Sequence, residues 1–305
     1  MLTFPLAVFG VFGVVWAVEP GAAPAQVGPI RRVETDEPVV AITFDACATR
    51  TQGYTFDRAI YDIIKRERLR ATIFVSGKWV DFHPDVMEEL VSDGSIEFGD
   101  HSYDHPHMAD LPRARILEEI DHTEAALARY GRKAVAFRPP YGEWSPQLLQ
   151  VVGERQLATV TWDVVSGDPS EGATAQAMVQ GVVAQTRPGS IVIFHINGRG
   201  WNTGQALPWI LNGLRKRGFR FVFLSELFAH GARAPEAYAG SATGQPPARK
   251  PLPPMIVGRP VLHPIVTDNP YAPAPPAPEV PAASPGSSSA RRRSAGSDAA
   301  LPPSL

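Results

Sequence analysis

The sequence predicts an α/β fold in which the strands of a parallel, barrel-like sheet alternate with helices. Short runs rich in β-branched and aromatic residues recur through the middle of the chain, and helix-favouring segments separate them. Most of these runs are apolar almost throughout, which is typical of parallel strands buried on both faces. About seven β-α units within about two hundred residues favour one barrel-like sheet over two doubly wound halves.

The strand predictions follow the apolar runs in chain order. They are PVVAITF at 38–44, ATIFV at 71–75, SIEFG at 95–99, AVAFR at 134–138, LATVTW at 157–162, SIVIFH at 190–195 and FRFVFL at 219–224. The helix predictions fill the segments between them, and the longest carries apolar residues at Ile116, Ile120, Ala125 and Leu127. They cover residues 56–66, 84–92, 114–130, 146–155, 173–186 and 207–216.

The two ends of the chain differ from the middle in composition. Residues 2–18 are apolar and small residues follow, which predicts a signal peptide over 1–25 or an N-terminal apolar anchor, and therefore an exported protein. From residue 235 to 305 the chain is rich in proline, alanine and serine with few large apolar residues, which predicts a disordered tail. The folded domain is expected over 34–232.

Composition excludes several classes of protein. The formal net charge of −2 across 305 residues gives no indication of nucleic-acid binding. A single cysteine, Cys47, excludes an internal disulfide framework and a cysteine-only zinc cluster, so any metal is expected to use histidine and carboxylate ligands. No G-x-S-x-G motif is present, which argues against a serine hydrolase.

Polar residues follow the predicted strands at the edge where a parallel barrel carries its active site. These residues are Asp45, His101, His105, Arg138, Asp163, Asp168 and His195. One polar residue after a strand is commonplace, but carboxylates, histidines and an arginine at one edge together indicate a functional site.

The spacing of these residues suggests roles for several of them. His101 and His105 stand four apart, so both imidazoles can lie on one face of a helical turn and bind one ion, whereas His107 is turned away. Arg138 leaves a buried strand with a permanent charge and needs a carboxylate partner, for which Asp45 is the natural candidate. The backbone N–H of Tyr141 is a candidate oxyanion donor, and Asp168 is available to orient a catalytic His195.

Five motifs in this order resemble those of the NodB-type polysaccharide deacetylases, carbohydrate esterase family four. They are TFDAC, HSYDH, RPPYG, WDVVSGD and VIFH, within about residues 39–228. The resemblance implies a distorted (β/α) barrel and metal-assisted removal of N-acetyl groups from an amino-sugar polysaccharide. By position it makes Asp45 the general base held by Arg138, His101 and His105 metal ligands, and His195 the general acid tuned by Asp168.

The first motif departs from the family pattern T-F-D-D-G, because Ala46 stands where the relatives have a metal-binding aspartate. Three replacements are open. Asp57 could supply the third ligand and is the one we expect, since a carboxylate keeps the charge and hardness of the site. Alternatively the Cys47 thiolate binds the ion, or His101 and His105 hold it weakly with water.

The sequence therefore predicts a polysaccharide deacetylase that uses a divalent metal ion, with zinc expected first. Its expected partner is an N-acetylated polysaccharide such as peptidoglycan or a chitin-like polymer, with membrane contact only through the N-terminus and an oligomeric state that the sequence does not indicate. Trp201 is a candidate sugar-stacking platform in the loop 197–205. The alternative is a catalytically impaired glycan-binding module on the same fold.

Overall fold

The fold is built on a parallel sheet of short, buried strands. The computed structural model describes residues 28–49 and 54–231, so the predictions for 1–25 and 235–305 lie outside the described residues. The strands are β1 (Val39–Ala46), β2 (Ala71–Val75), β3 (Ile96–Asp100), β4 (Val164–Val165), β5 (Ile191–His195) and β6 (Arg220–Phe221). Their order is β3-β2-β1-β5-β4, with β6 paired to β1, and every strand pairing is parallel.

The sheet continues past β3 through isolated bridges. Phe137 bridges Asp100 on one side and Thr159 on the other, and Val160 then bridges Ile30. The predicted strands at 134–138 and 157–162 therefore contribute single bridges to the wall and no regular ladder. Pro139 and Pro140 follow Arg138 directly, and proline has no N–H with which to extend a ladder. This irregular side is the distortion of the barrel, and the α/β class and parallel sheet are confirmed.

Helices cover the outer face of the sheet. They are α1 (Arg58–Glu67), α2 (Gly77–Phe82), α3 (Pro84–Ser92), α4 (Arg113–Ala128), α5 (Pro146–Glu154), α6 (Ala175–Gln185), α7 (Thr203–Lys216) and α8 (Leu224–Ala229). All six predicted helices are present within a few residues at their ends. None of the described helices is both long and apolar enough to cross a membrane.

Two short helices, α2 and α8, were not predicted from the sequence. Ser76 precedes α2 and its hydroxyl accepts a hydrogen bond from the N–H of Trp79, which caps the helix. In the first turn of α8, the Glu226 carboxylate accepts a hydrogen bond from the backbone N–H of Phe223, the residue that precedes the helix. That contact turns the end of the predicted strand 219–224 into a helix and leaves β6 two residues long.

Strand β1 positions the site because its side chains alternate between the two faces of the sheet. Val40, Ile42, Phe44 and Ala46 belong to the apolar cluster shared with the outer helices. The intervening residues face the barrel interior, where Thr43 and Asp45 both contact Arg138. Asp45 therefore points inward at the carboxyl end of the strand.

Candidate metal and acid–base site

The candidate site lies at the carboxyl ends of β1, β3 and β5. Asp45 and His195 are directly paired residues of neighbouring strands, and His101 follows the last residue of β3. Arg138 reaches the same place from the bridge region that borders β3. The edge predicted from the sequence is thus the edge at which these side chains meet.

Asp45 and Arg138 form a buried ion pair. Nη1 of Arg138 donates to Oδ1 of Asp45 at 2.7 Å, and Nη2 donates to Oγ1 of Thr43 at 2.8 Å. The guanidinium is fully buried and stacks over the Phe74 ring at 3.9 Å. Burial would raise the pKa of Asp45, but the charges of Arg138 and of nearby histidines outweigh it and lower that pKa. Asp45 is therefore held as a carboxylate.

His101 presents one ring nitrogen to the site. Its Nδ1 lies 2.7 Å from the carbonyl oxygen of Arg138, and since a carbonyl only accepts, Nδ1 carries the hydrogen. Burial lowers the pKa of His101, so the ring is neutral and Nε2 has a free lone pair. That lone pair lies 3.5 Å from Oδ2 of Asp45. Two electron-rich atoms facing each other in a buried site favour a cation beside them.

His105 lies next to His101, with ring centroids 4.9 Å apart. It has a left-handed backbone at φ 57°, as do Ser102 before it and Tyr141 across from it. Such strained conformations cluster at functional sites. Its Nδ1 is buried and has no hydrogen-bond partner among the described residues. Burial, with the nearby His101, lowers the pKa of His105 to about 3, so this ring too is neutral and able to bind a metal.

Cys47 joins the two histidines. One donor atom from each of Cys47, His101 and His105 lies within 4.8 Å of the others, and all three residues are buried. Sγ of Cys47 accepts a hydrogen bond from Nδ2 of Asn197 at 3.1 Å. Burial and the charge of Asp45 raise the pKa of the thiol to about 12, so the group is a neutral thiol unless a cation binds it. The expectation that any metal would use only histidine and carboxylate ligands does not describe this cluster.

Asp57, the expected third ligand, is engaged elsewhere. It precedes α1, and its Oδ2 accepts from the backbone N–H of Gly198 at 2.8 Å. Gly198 has φ 84°, and a Cβ there would lie 2.4 Å from Oγ1 of Thr55, so only glycine fits this close approach. Among the described residues, the cluster able to hold an ion contains Cys47 in the place expected for Asp57. The position of Asp57 indicates that it fastens the loop 197–205 to α1.

Ala46 is fully buried and packs among the apolar residues between the sheet and the helices. Strand β1 continues through Ala46, which pairs with Val75 of β2. Strand alternation thus aims Asp45 inward and Ala46 outward.

His195 is bound to a buried carboxylate. Its Nδ1 lies 2.9 Å from Oδ1 of Asp168, and its backbone N–H donates to Oδ2 at 2.6 Å. Ser166 and Thr203 also donate to Asp168, which fixes the carboxylate. Burial would lower the pKa of His195, but the hydrogen bond and charge of Asp168 outweigh it and raise that pKa.

Aromatic side chains border the site. The Tyr141 ring packs edge-on against His105 at 4.7 Å and stacks on His107 at 4.2 Å, and half of its surface is exposed. His107 is itself exposed and contacts Glu143 at 2.8 Å, in agreement with its expected exclusion from the histidine pair. The half-buried Trp201 donates its backbone N–H to the carbonyl oxygen of Asp168. These contacts place the Tyr141 ring beside His105 and the backbone of Trp201 beside Asp168.

Two residues near the site were not identified from the sequence. Asn197 reaches Cys47, and Arg199 is half-buried and close enough for its charge to act on Cys47, His105 and His195. Both follow VIFH in the same loop, so their position just after a strand end is the signal that could have identified them. Asp163, in contrast, accepts from Ser190 and Ile191 at the start of β5, so it lies away from the carboxyl edge and its role is structural.

Comparison with known proteins agrees with this geometry. The family model described as polysaccharide deacetylase matches residues 32–160. The peptidoglycan-N-acetylglucosamine deacetylase of Bacillus cereus is 30% identical over 204 residues, which are 66% of this chain and 70% of that protein.

Two solved structures share the fold. A pseudoenzyme of carbohydrate esterase family 4 from Bacillus anthracis superimposes with a TM-score of 0.61 at 25% identity, over 68% of this chain and 70% of that one. A family 4 carbohydrate esterase from Streptomyces lividans, in complex with acetate, has a TM-score of 0.56 at 30% identity, over 66% of this chain and 99% of that one. With the ordered motifs and the shared fold, these matches show that the chain belongs to the polysaccharide deacetylase family, carbohydrate esterase family four.

Proposed function

We propose that this protein is a metal-dependent hydrolase that removes N-acetyl groups from an amino-sugar polysaccharide, with Asp45 as base and His195 as acid. The observation that carries the proposal is the pairing of these two residues across β1 and β5, each fixed by a buried partner of opposite charge. A base and an acid at neighbouring strand ends are the two groups that amide hydrolysis requires.

Asp45 is suited to act as the base. Arg138 occupies Oδ1, so Oδ2 is the oxygen available to accept a proton from an attacking water. Because the pKa of Asp45 is lowered, the carboxylate is ionised at neutral pH and ready to accept that proton. The fixed guanidinium also prevents the carboxylate from rotating away.

His195 is suited to act as the acid. Its Nδ1 contacts Asp168, so Nε2 is the nitrogen that carries a proton toward the site. An amine leaves readily only when it is protonated, and the raised pKa of His195 keeps a larger fraction of the ring in the acid form near neutral pH.

The residues present fit a divalent ion. Nδ1 of His105 is buried without a hydrogen-bond partner among the described residues, and the Nε2 lone pair of His101 faces the Asp45 carboxylate, so His101 and His105 would hold the ion. When bound, such an ion polarises the acyl oxygen and lowers the pKa of water, and we propose zinc because neutral imidazoles suit it.

We propose peptidoglycan as the substrate and the cell exterior as the place of action. The Bacillus cereus relative is named for peptidoglycan N-acetylglucosamine, and the apolar segment 2–18 with the small residues after it fits an exported protein. The half-exposed Tyr141 ring borders the site beside His105, Trp201 lies in the loop that follows β5, and aromatic faces suit the apolar side of a pyranose ring. A chitin-like polymer is the alternative substrate.

One specific observation supports a second candidate, a glycan-binding module without turnover. Position 46 carries no carboxylate, and the similar Bacillus anthracis protein is described as a pseudoenzyme. Retention of Asp45, Arg138, Asp168 and His195 favours the enzyme, since binding alone does not require the acid–base groups.

The test is acetate release by the purified full chain from N-acetylated peptidoglycan and from chitooligosaccharides, before and after chelation and with zinc restored. The proposal expects release that chelation abolishes and zinc recovers. Asp45→Asn keeps an oxygen for Arg138 but removes the base, so it should lower turnover by about a hundredfold or more. Glycan binding without acetate release in the zinc-loaded protein would support the binding module instead.

A further inference from the structure

The sulfur of Cys47 occupies a position that a metal ligand needs. Cys47 directly follows the last residue of β1, Ala46, whose side chain faces the outer helices. Sγ lies with nitrogens of His101 and His105 in one buried group, and three atoms no more than 4.8 Å apart have a common point within about 2.8 Å of each. Ligand distances in zinc sites are about 2.0–2.3 Å, so a shift of about half an ångström per side chain completes the site.

The sulfur of Cys47 is held in place by a hydrogen bond from a buried amide. The side-chain amide of Asn197 donates to Sγ of Cys47 at 3.1 Å and also to the backbone carbonyl oxygen of Cys47 at 2.9 Å. A donor that holds both atoms fixes the side chain of Cys47 and supports negative charge on its sulfur. Asn197 is fully buried, so this orientation is part of the packed interior.

A second, independent observation points to a ligand at the same place. His105 is more than nine-tenths buried, yet its Nδ1 has no hydrogen-bond partner among the described residues. His101 presents a bare Nε2 for the reason given above. Buried polar atoms are normally satisfied, so the unsatisfied Nδ1 of His105 beside the Nε2 lone pair of His101 indicates that an ion belongs here.

We infer that Cys47, His101 and His105 together bind one divalent ion, with Asn197 positioning the sulfur, so that Cys47 replaces the aspartate that the first motif lacks. Three protein ligands with one position left open is the arrangement of catalytic zinc sites. The inference rests on the proposed function in that both place a metal ion beside Asp45.

The donor set also determines which ions fit. A thiolate with two imidazoles suits zinc, cobalt and cadmium, whereas magnesium, calcium and manganese prefer carboxylate and carbonyl oxygens. A site with an aspartate in place of Cys47 would discriminate less strongly between these groups. The preference for softer ions is therefore a consequence specific to this chain.

The experiment is cobalt and zinc titration of the metal-free full chain, measured by absorption and by equilibrium dialysis. Cobalt in the unmutated protein is expected to give a sulfur-to-metal charge-transfer band in the near ultraviolet. Cys47→Ser keeps the size of the side chain and an acceptor for Asn197, and it should abolish the band and weaken zinc binding by more than about a hundredfold. Magnesium and calcium should not compete with zinc.

Two variants serve as matched controls. Asp57→Asn removes a carboxylate but keeps an oxygen for the N–H of Gly198, and His107→Gln removes the exposed third histidine of the segment. Both should keep the charge-transfer band and bind zinc within about threefold of the unmutated protein. If Asp57→Asn lost zinc binding while Cys47→Ser bound zinc as tightly as the unmutated protein, the inference would be overturned and the site would be assigned to Asp57.

The spectrum of the unmutated protein decides the inference even if a variant fails to fold. A cobalt complex without the charge-transfer band overturns it, as does a protein that binds no ion. The band without acetate release from any glycan supports the inference and rejects the proposed function. Zinc-dependent acetate release from a protein whose cobalt form lacks the band rejects only the assignment of Cys47.

Discussion

Arg138 is a fully buried cation that depends on one carboxylate, Asp45, for its charge balance. Arg138 must find a partner inside the barrel because its charge is permanent, so the sequence alone was enough to predict this pair. Asn197 could not be predicted in the same way, since nothing local to it indicates that its amide reaches back 150 residues to Cys47. The contact is a product of strand pairing between β1 and β5.

Arg138→Met tests the energy of the buried pair. Removing the guanidinium leaves Asp45 buried and uncompensated, so we expect the free energy of unfolding at pH 7 to fall by about 3–5 kcal/mol. Arg155→Met is the control, because Arg155 pairs with Asp121 near the surface and its loss should cost about 1 kcal/mol or less. Equal losses in the two variants, measured by chemical denaturation, would contradict the account of Arg138.

Asp168→Asn tests the tuning of His195. The acid must be protonated, so activity falls as pH rises through the pKa of His195. Asp168 raises that pKa, and removing its charge should move the alkaline limb of the kcat/KM profile to lower pH. A purely structural role for Asp168 would lower activity at every pH and leave the limb in place.

At the scale of elements, β1 explains why the chain tolerates alanine beside its base. The strand continues one residue beyond Asp45, so position 46 faces the helices and the next inward-facing side chain is that of Cys47. The motif TFDAC showed the departure but not this alternation, because the sequence does not specify at which residue a strand ends. The expectation that Asp57 is the third metal ligand therefore rested only on its being a carboxylate.

Ala46→Asp should destabilise the protein without improving metal binding. The new carboxylate would enter the apolar cluster between β1 and the outer helices, where a buried charge is costly, so we expect the melting temperature to fall by several degrees. Ala46→Ser is the control for size and should cost less. A rise in zinc affinity at unchanged melting temperature would instead show that position 46 faces the ion.

At the scale of the whole molecule, one side of the barrel is regular and the other is irregular. The ladder β3-β2-β1-β5 follows the runs of β-branched residues and was predictable from them, whereas β4 lies just beyond the predicted strand 157–162 and was not predicted. The isolated bridges at Phe137, Thr159 and Ile30 were not predictable. The residues there have the apolar pattern of a strand, but the prolines after Arg138 lack the N–H groups that a regular ladder needs. The site spans both sides, with Asp45 and His195 on the ladder and Arg138 on the bridges.

Removing residues 235–305 should leave stability and activity unchanged. That segment has few large apolar residues and cannot bury enough surface to support the barrel. The melting temperature of the chain truncated after Ala234 should match that of the full chain within about 2 °C. A loss of several degrees would mean that the segment packs on the domain.

The most direct measurement of the central claim is the ratio of new primary amines to acetate released when the zinc-loaded full chain acts on N-acetylated peptidoglycan. Hydrolysis of an N-acetyl amide yields one amine for each acetate, whereas hydrolysis of an O-acetyl ester yields acetate alone. The account predicts a ratio of one, with both products lost in Asp45→Asn. Acetate without amine, or neither product from a protein that holds its zinc, would contradict it.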